Sequence, residues 1–440
     1  MAEAAADIAA SLRLAIDHHR AGRLREAEAL CRHILRRDPD QPTALNLLGV
    51  LARQAGRPEA AAALFRRAVA QVPDYAEAHY NLGNALRDTG DTEGALAAYD
   101  RALALRPAVA GWHNNRGVAL LGAGMAQAAE AAFRRAAELD PRYADAFNNL
   151  GNALQKQDKI DDAIAAYRQA LAVNPTFAGA LANLGGALLK AGQPADALQP
   201  LDALLVREPQ QVRAVAYKAI ALRELGRRAE ADALEDTERL VGVERPPPPA
   251  GFADMAAFNA QLVAEIRVHP TLTKDWDPYQ RAARHGSVAV DLLAHRSPAI
   301  AAFEAMVRRA IDAFAQRLPD DPGHPFLCRK PKRYSLIVWA NILAEEGHQA
   351  AHIHNLGWLS GVYYPSIPPS IRKDDPEKAG WIEFGRPGYD LPCRYEPRLR
   401  AIAPENGMIV MFPSYFWHRT IPFRGAPERI SVAFDVHARE

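Results

Sequence analysis

The chain has 440 residues, 49% of them hydrophobic and 24% charged, with a formal net charge of +1. That length corresponds to about three domains unless a repeat array absorbs it, and the composition is that of an ordinary globular protein. A balance so close to neutral excludes a global field that would recruit nucleic acid or an anionic membrane. Cys31, Cys328 and Cys393 are too few and too far apart for a disulfide framework or a CxxC zinc site. They fit a reducing compartment, and a cytoplasmic location is expected. No run of about 18 apolar residues is present, so no membrane span is expected. The alanine-rich start lacks a basic segment followed by an apolar one, so no signal peptide is expected either.

The first half repeats with a period of 34. Pro39, Pro73, Pro107, Pro141, Pro175 and Pro209 are spaced by it, as are Gly22, Gly56, Gly90, Gly124, Asp158, Gly192 and Gly226. Ala27, Ala61, Ala95, Ala129, Ala163, Ala197 and Ala231 form a third register. In one repeat, Leu82-Gly83 lets two helices approach, Gly90 makes the turn, Tyr99 fills the gap and Pro107 stops the second helix. Phe65, Phe133 and Tyr167 occupy the slot of Tyr99. This pattern resembles the tetratricopeptide repeat. The resemblance implies about seven helix pairs over residues 1–240, stacked into a right-handed solenoid with a concave groove.

Asn81, Asn115, Asn149 and Asn183 form a further register, with Asn84 and Asn152 as a shorter row. Asparagine is a mediocre helix former, so its recurrence needs a reason. The row resembles the asparagine ladder of the O-GlcNAc transferase superhelix, which grips an extended peptide. Each amide offers a donor and an acceptor to a peptide unit. The resemblance implies a protein or peptide partner bound by these four residues. The alternative is a consensus choice of tandem repeats with no ligand.

Repeat character fades after Leu240, and Pro246 to Pro249 form a stiff spacer. Residues 241–251 are therefore expected to be a linker to a second domain over 252–440. Two amphipathic helices follow, over Phe252–Val268 and Pro298–Leu318, the second with apolar residues at Ile300, Phe303, Val307, Ile311, Phe314 and Leu318. They are expected to brace a sheet.

From Tyr334 the chain turns β-rich. Tyr334–Trp339, Leu359–Tyr364, Trp381–Phe384, Met408–Phe412 and Ile430–Phe434 are separated by Pro and Gly clusters. Short strands so broken predict a sandwich or jelly roll. His352 and His354, two apart, share a strand face. His418 comes from a distant strand and Arg429 lies 11 residues beyond it. Three imidazoles and a cation entering an apolar strand suggest a metal with an anionic co-substrate. Ser431 shares the face of Arg429, and Ile430, Val432 and Phe434 take the opposite one. His348 reads as an outer neighbour of the site or surface, and His285, His324 and His437 as surface.

The set His352-Ile353-His354, Leu359-Ser360-Gly361-Val362-Tyr363-Tyr364, Phe412-Pro413, His418 and Arg429-Ile430-Ser431 resembles the iron(II)/2-oxoglutarate-dependent dioxygenases, over roughly residues 330 to 436. The resemblance implies a double-stranded β-helix with bracing helices and a hydroxylase using Fe(II), 2-oxoglutarate and O2. It makes His352, His354 and His418 metal residues, and Arg429, Ser431 and Tyr363 (or its neighbour Tyr364) residues of the co-substrate pocket. His354 departs from the family, which has a carboxylate there. It ligates, or stands beside the metal, or marks a domain that binds without catalysis. The whole reads as an oxygenase for a protein or peptide held by the solenoid. Alternatives are a non-catalytic tetratricopeptide scaffold and an oxygenase of a small molecule.

Overall fold

The structure is a computed structural model that describes residues 2–273, 283–388, 390–424 and 428–439, with the side chains of 2–5, 283–285 and 345–346 also outside the description. The chain divides into two compact units, residues 1–180 and 181–440. Among the described residues no helix is long and apolar enough to cross a membrane.

The first unit is built of helix hairpins. Pro42–Gln54 pairs with Pro58–Gln71, Ala76–Asp88 with Thr92–Leu105, Ala110–Gly122 with Ala126–Leu139, and Ala144–Gln155 with Ile160–Val173. The turn register adopts positive φ throughout, with Gly90 at +83° and Asp158 at +60°. Only glycine does this without strain, and aspartate is among the few side chains that tolerate it. The glycine before each aromatic is equally constrained. A Cβ at Gly49 would lie 2.6 Å from the Phe65 ring, and one at Gly83 2.7 Å from Tyr99.

The aromatic slot is matched to a position 15 residues earlier. Tyr99 donates its hydroxyl to Asn84 Oδ1 at 2.8 Å and Tyr167 donates to Asn152 Oδ1 at 2.9 Å. Where the slot holds Phe65 or Phe133, the earlier position holds Val50 or Val118. A buried hydroxyl needs an acceptor and a phenyl ring does not. Asn84→Val is therefore expected to cost about 1–3 kcal/mol by leaving the Tyr99 hydroxyl unpaired. Asn84→Val with Tyr99→Phe is expected to restore most of that loss, as read by urea denaturation of each variant.

The second unit starts inside the repeats. The helices Pro194–Arg207, Val212–Glu224 and Arg228–Leu234 belong to it. Hydrogen bonds explain why this unit begins earlier than the repeat boundary read near residue 240. The Tyr415 hydroxyl donates to the Leu234 carbonyl at 2.7 Å, and the Arg394 amide donates to Glu224 Oε1 at 2.8 Å. His324, expected at the surface, is buried with Nε2 3.1 Å from the Ala233 carbonyl. The expected linker is also part of this fold, because Gly242–Glu244 is a strand.

Among the described residues ten strands form an antiparallel sheet system: β1 Gly242–Glu244, β2 Leu272–Thr273, β3 Ala283–Ala289, β4 Tyr334–His352, β5 Leu359–Ser366, β6 Ile382–Phe384, β7 Arg400–Ile402, β8 Ile409–Pro413, β9 His418–Thr420 and β10 Arg429–Ala438. Their order is β1-β8-β5-β10-β4-β9-β6-β7, with β2 and β3 attached at β4. The long strand β4 serves two layers. Its first half pairs with β10 from Tyr334 to Leu343, and its end pairs with β9 at Gln349 and His352. The path is open rather than a closed barrel, and is consistent with the jelly roll that the strand pattern predicted.

Helices Met255–Arg267 and Pro298–Arg317 cover the side where Phe258, Leu262, Phe303, Val307, Ile430, Val432 and Phe434 are buried. Glu265 begins the second helix by accepting from the backbone amides of Ala299 and Ile300, each at about 3.0 Å, which satisfies donors that a helix start leaves free. The other face of β4, β5 and β10 carries the site.

Candidate metal centre

β4 delivers His352 directly opposite His418, the first residue of β9. Their rings lie 4.2 Å apart between centroids. His354 lies just past the end of β4 rather than on it, held by its backbone amide, which donates to the Ser414 carbonyl at 3.0 Å. The strand-face expectation therefore holds for the clustering of the two histidines but not for the backbone that achieves it. One ring nitrogen from each of the three histidines falls within 4.8 Å of the others, and among the described residues no other group of this kind occurs.

The outward nitrogens are occupied. His352 Nδ1 faces the Ala350 carbonyl at 2.8 Å, and His418 Nδ1 faces the Phe416 carbonyl at 3.0 Å. His354 Nδ1 faces Asp435 Oδ1 at 2.6 Å. All three partners accept, so each Nδ1 carries the proton and each Nε2 presents a lone pair. The Nε2 atoms of His352 and His354 are 3.2 Å apart with no proton to share between them. Converging lone pairs of this kind suit a cation, and neutral imidazoles are ligands for Fe(II) and its divalent neighbours.

Burial keeps the rings neutral. Desolvation, aided by the neighbouring His354, depresses the His352 pKa to about 3. His418 is pushed well below its ordinary value by burial and then by the other two imidazoles. The stability consequence has a definite sign. Between about pH 3 and 6.5 the unfolded chain takes up protons that the folded one refuses, so stability rises with pH across that window. Metal-free protein is expected to melt at progressively lower temperature as pH falls from 7 to 5. Thermal melts of His418→Gln, which lacks that titrating group, should show a shallower dependence.

Beside the imidazoles, β10 points Arg429 and Ser431 into one pocket that His354, His418, Tyr364 and Asn341 also line. Arg429 is fully buried, and burial lowers its pKa, yet a guanidinium remains charged. Its Cζ lies 5.1 Å from the centroid of the Tyr364 ring. Arg429 Nε and Nη1, the Asn341 amide nitrogen and the Tyr364 hydroxyl are buried there without hydrogen-bond partners among the described residues. Burial raises the Tyr364 pKa to about 12, so its hydroxyl keeps the proton and can donate. Unpaired donors around a buried cation complement an anion, and a carboxylate fits the fork of an arginine.

Alternation along β5 divides Leu359–Tyr364 between two roles. Ser360, Val362 and Tyr364 face the site side, where Ser360 donates to Asp435 at 2.6 Å. Tyr363 faces away, correcting its expected place in the co-substrate pocket. It is buried against Phe303 and Phe258, and its hydroxyl donates to Asn259 Oδ1. Tyr364 instead lines the pocket that holds Arg429. Gly361 shares the face of Tyr363, and any Cβ there would collide with the Phe434 ring. Asp435 and Asn341 were missed by motif reading. The signal for Asp435 was its parity with Arg429 and Ser431 on β10, and for Asn341 its pairing with Ser431.

The asparagine row is engaged along the repeats. The Nδ2 groups of Asn81, Asn115 and Asn149 donate to Asn46 Oδ1 at 3.0 Å, the Tyr80 hydroxyl at 2.6 Å and Asn114 Oδ1 at 3.0 Å, each 35 residues back, and Asn115 also donates to Asn84 Oδ1 at 3.1 Å. Asn183, which also has an interaction, falls in the second unit. Each of the four is half-buried. His348 and His437 are half-buried too, and the side chain of His285 lies outside the described residues.

Residues 337–435 match the family model described as "Putative 2OG-Fe(II) oxygenase", and tetratricopeptide repeat models match residues 12–76, 80–144, 144–177 and 166–199. The chain joins tetratricopeptide repeats to a C-terminal domain that matches this oxygenase family model over residues 337–435. That family implies Fe(II) and 2-oxoglutarate, and the histidine cluster with its anion-seeking arginine fits both. Solved structures similar to the chain include MamA, 25% identical, covering 39% of this chain and 94% of that one with a TM-score of 0.36. They also include YrrB, titled a TPR protein with an unusual peptide-binding site, at 20% identity, 43% and 97% coverage and a TM-score of 0.38. PilF of Pseudomonas aeruginosa is 19% identical, with 49% and 99% coverage and a TM-score of 0.45. No curated protein matches the chain.

Proposed function

We propose that residues 252–440 form an Fe(II)- and 2-oxoglutarate-dependent dioxygenase, and that the repeats of residues 1–240 recruit a protein or peptide for hydroxylation. One observation carries the reading: three imidazole lone pairs converge, and two of those histidines line the pocket where a buried guanidinium keeps unpaired N–H groups. His352, His354 and His418 would hold Fe(II). Arg429, with Ser431, Asn341 and Tyr364 as further donors, would hold the distal carboxylate of 2-oxoglutarate. When bound, the metal and co-substrate supply the oxidation of a C–H bond by O2 coupled to loss of CO2.

The chain's own part is placement. The backbone carbonyls of Ala350 and Phe416 fix two imidazoles in the ligating tautomer. Arg429 would hold the distal carboxylate of the co-substrate in the same pocket that His354 and His418 line. Phe412, whose ring lies 4.5 Å from that of His418, and Phe384 keep the metal side apolar and limit water. The repeats offer a peptide the remaining amide capacity of Asn81, Asn115, Asn149 and Asn183; Asn81 and Asn149 each donate once along the stack, and Asn115 donates to both the Tyr80 hydroxyl and Asn84 Oδ1.

Those same bonds favour a second reading, in which the row serves repeat stacking and the oxygenase takes a small molecule. Asn115→Ala with Asn149→Ala separates the two. Peptide recruitment predicts a raised KM for a peptide substrate and unchanged succinate formation in its absence. The dioxygenase reading itself is tested by succinate formation from 2-oxoglutarate under air. It should require Fe(II) and stop on chelation. Failure of any divalent metal to bind, with no succinate formed, would sink it.

A further inference from the structure

The third metal position of this family holds a carboxylate, and here it holds His354. We infer that Asp435 is the positioning residue that makes this exchange workable: its carboxylate fixes the tautomer of His354 and returns to the centre the negative charge that an imidazole lacks. The inference rests on the metal-centre reading above.

The three imidazoles are not treated alike. His352 and His418 donate to neutral backbone carbonyls, whereas His354 donates to a carboxylate at 2.6 Å. Asp435 is itself held in one orientation. Its Oδ1 also accepts from the Ser360 hydroxyl at 2.6 Å, and Ser360 and Asp435 are partners in the β5–β10 register. The single proton of Ser360 is committed to Asp435, so the Ser414 hydroxyl, 2.8 Å away, is the donor to Ser360. Ser414 also accepts the His354 backbone amide through its carbonyl. The chain Ser414 to Ser360 to Asp435 thus runs in one direction and ends on the imidazole, while the same Ser414 anchors the backbone of His354 beyond the strand end.

Three neutral imidazoles leave a divalent ion with its full charge, whereas two imidazoles and a carboxylate remove one unit. Asp435, one hydrogen bond behind His354, removes the same unit from the next layer out. A carboxylate behind a ligating imidazole raises its basicity and fixes its ring, and such partners are worth about 10–100-fold in metal affinity. Asp435 has no ligating place of its own, since only the three imidazoles form the cluster.

The test is Co(II) binding to the full-length metal-free chain, followed by visible absorption. Asp435→Asn keeps the shape and removes the charge. It is expected to weaken Co(II) about 10–100-fold in the wild-type background. In a His354→Asp background, where a carboxylate already ligates, Asp435→Asn is expected to be neutral or to tighten binding. Equal losses in both backgrounds, or no loss in the first, overturn the inference. A second measurement needs no variant: 15N histidine shifts of the metal-free chain should show His354 protonated at Nδ1, and an Nε2-protonated His354 overturns it. Wild type that binds no Co(II) would instead remove the metal-centre reading on which the inference stands.

Discussion

Arg429→Met is expected to make the ligand-free protein more stable while removing its affinity for 2-oxoglutarate. The two effects have one cause. Arg429 is the largest charged side chain that is fully buried, and two of its guanidinium nitrogens have no partner among the described residues. A desolvated cation with two unpartnered nitrogens is costly, and replacing buried ionic groups by well-packed apolar side chains is often neutral or stabilising, by up to about 1–4 kcal/mol. The pocket that Arg429 enters is also lined by Val362 and Ala433, with Tyr364 beside the guanidinium, and these can accept a thioether. A co-substrate carboxylate would be the missing partner. Truncating one side of a buried charge pair costs about 2–5 kcal/mol of binding, so affinity should fall at least about 30-fold. Thermal melts without ligand and calorimetric titration with 2-oxoglutarate read the two effects separately. A variant that melts lower and still binds 2-oxoglutarate would mean that the arginine serves the fold and not the ligand.

The second large effect belongs to His418→Ala. His418 is buried, its Nδ1 is tied to Phe416, and its ring stands against those of His352 and Phe412. Removing its side chain takes away a proposed ligand and the ring that packs on His352, while the backbone pairing of the two strands remains. Partners of ligands alone are worth about 10–100-fold in metal affinity, so loss of a ligand should exceed about 100-fold. The space left is apolar and half enclosed by Phe384 and Phe412, so water is a poor replacement. Equilibrium dialysis against Fe(II) under anaerobic conditions measures this, with circular dichroism to show that the sheet survives. Retained stoichiometric iron in His418→Ala would remove this residue from the metal centre.

The repeat half was legible because every repeat solves one packing problem with the same residue types. Gly83 against Tyr99 and Gly49 against Phe65 are the same close approach, so a single period exposes both. The site was legible wherever alternation was unambiguous. Arg429 and Ser431 share a face, and so they line one pocket. Tyr363 was misplaced because adjacent tyrosines take opposite faces, and nothing local says which face meets the helices. Asp435 went unseen because its partner, His354, lies 81 residues earlier, and only the pairing of β4, β5 and β10 brings them together. The early start of the second unit was hidden for a similar reason. The repeat period continues past residue 181, while the hydrogen bonds that tie Leu234 and Glu224 to the sheet domain span more than 160 residues.

The measurement that bears most directly on the metal-centre reading is an anaerobic titration of the metal-free chain with Fe(II) and 2-oxoglutarate, followed by visible absorption. A chelated keto acid gives a metal-to-ligand charge-transfer band only when both bind at one site. The account predicts the band in wild type, saturating at one equivalent of each, and its loss in Arg429→Met at the same 2-oxoglutarate concentration. No band in wild type, with iron or keto acid failing to bind, would contradict it and leave the C-terminal sheet domain as a binding module.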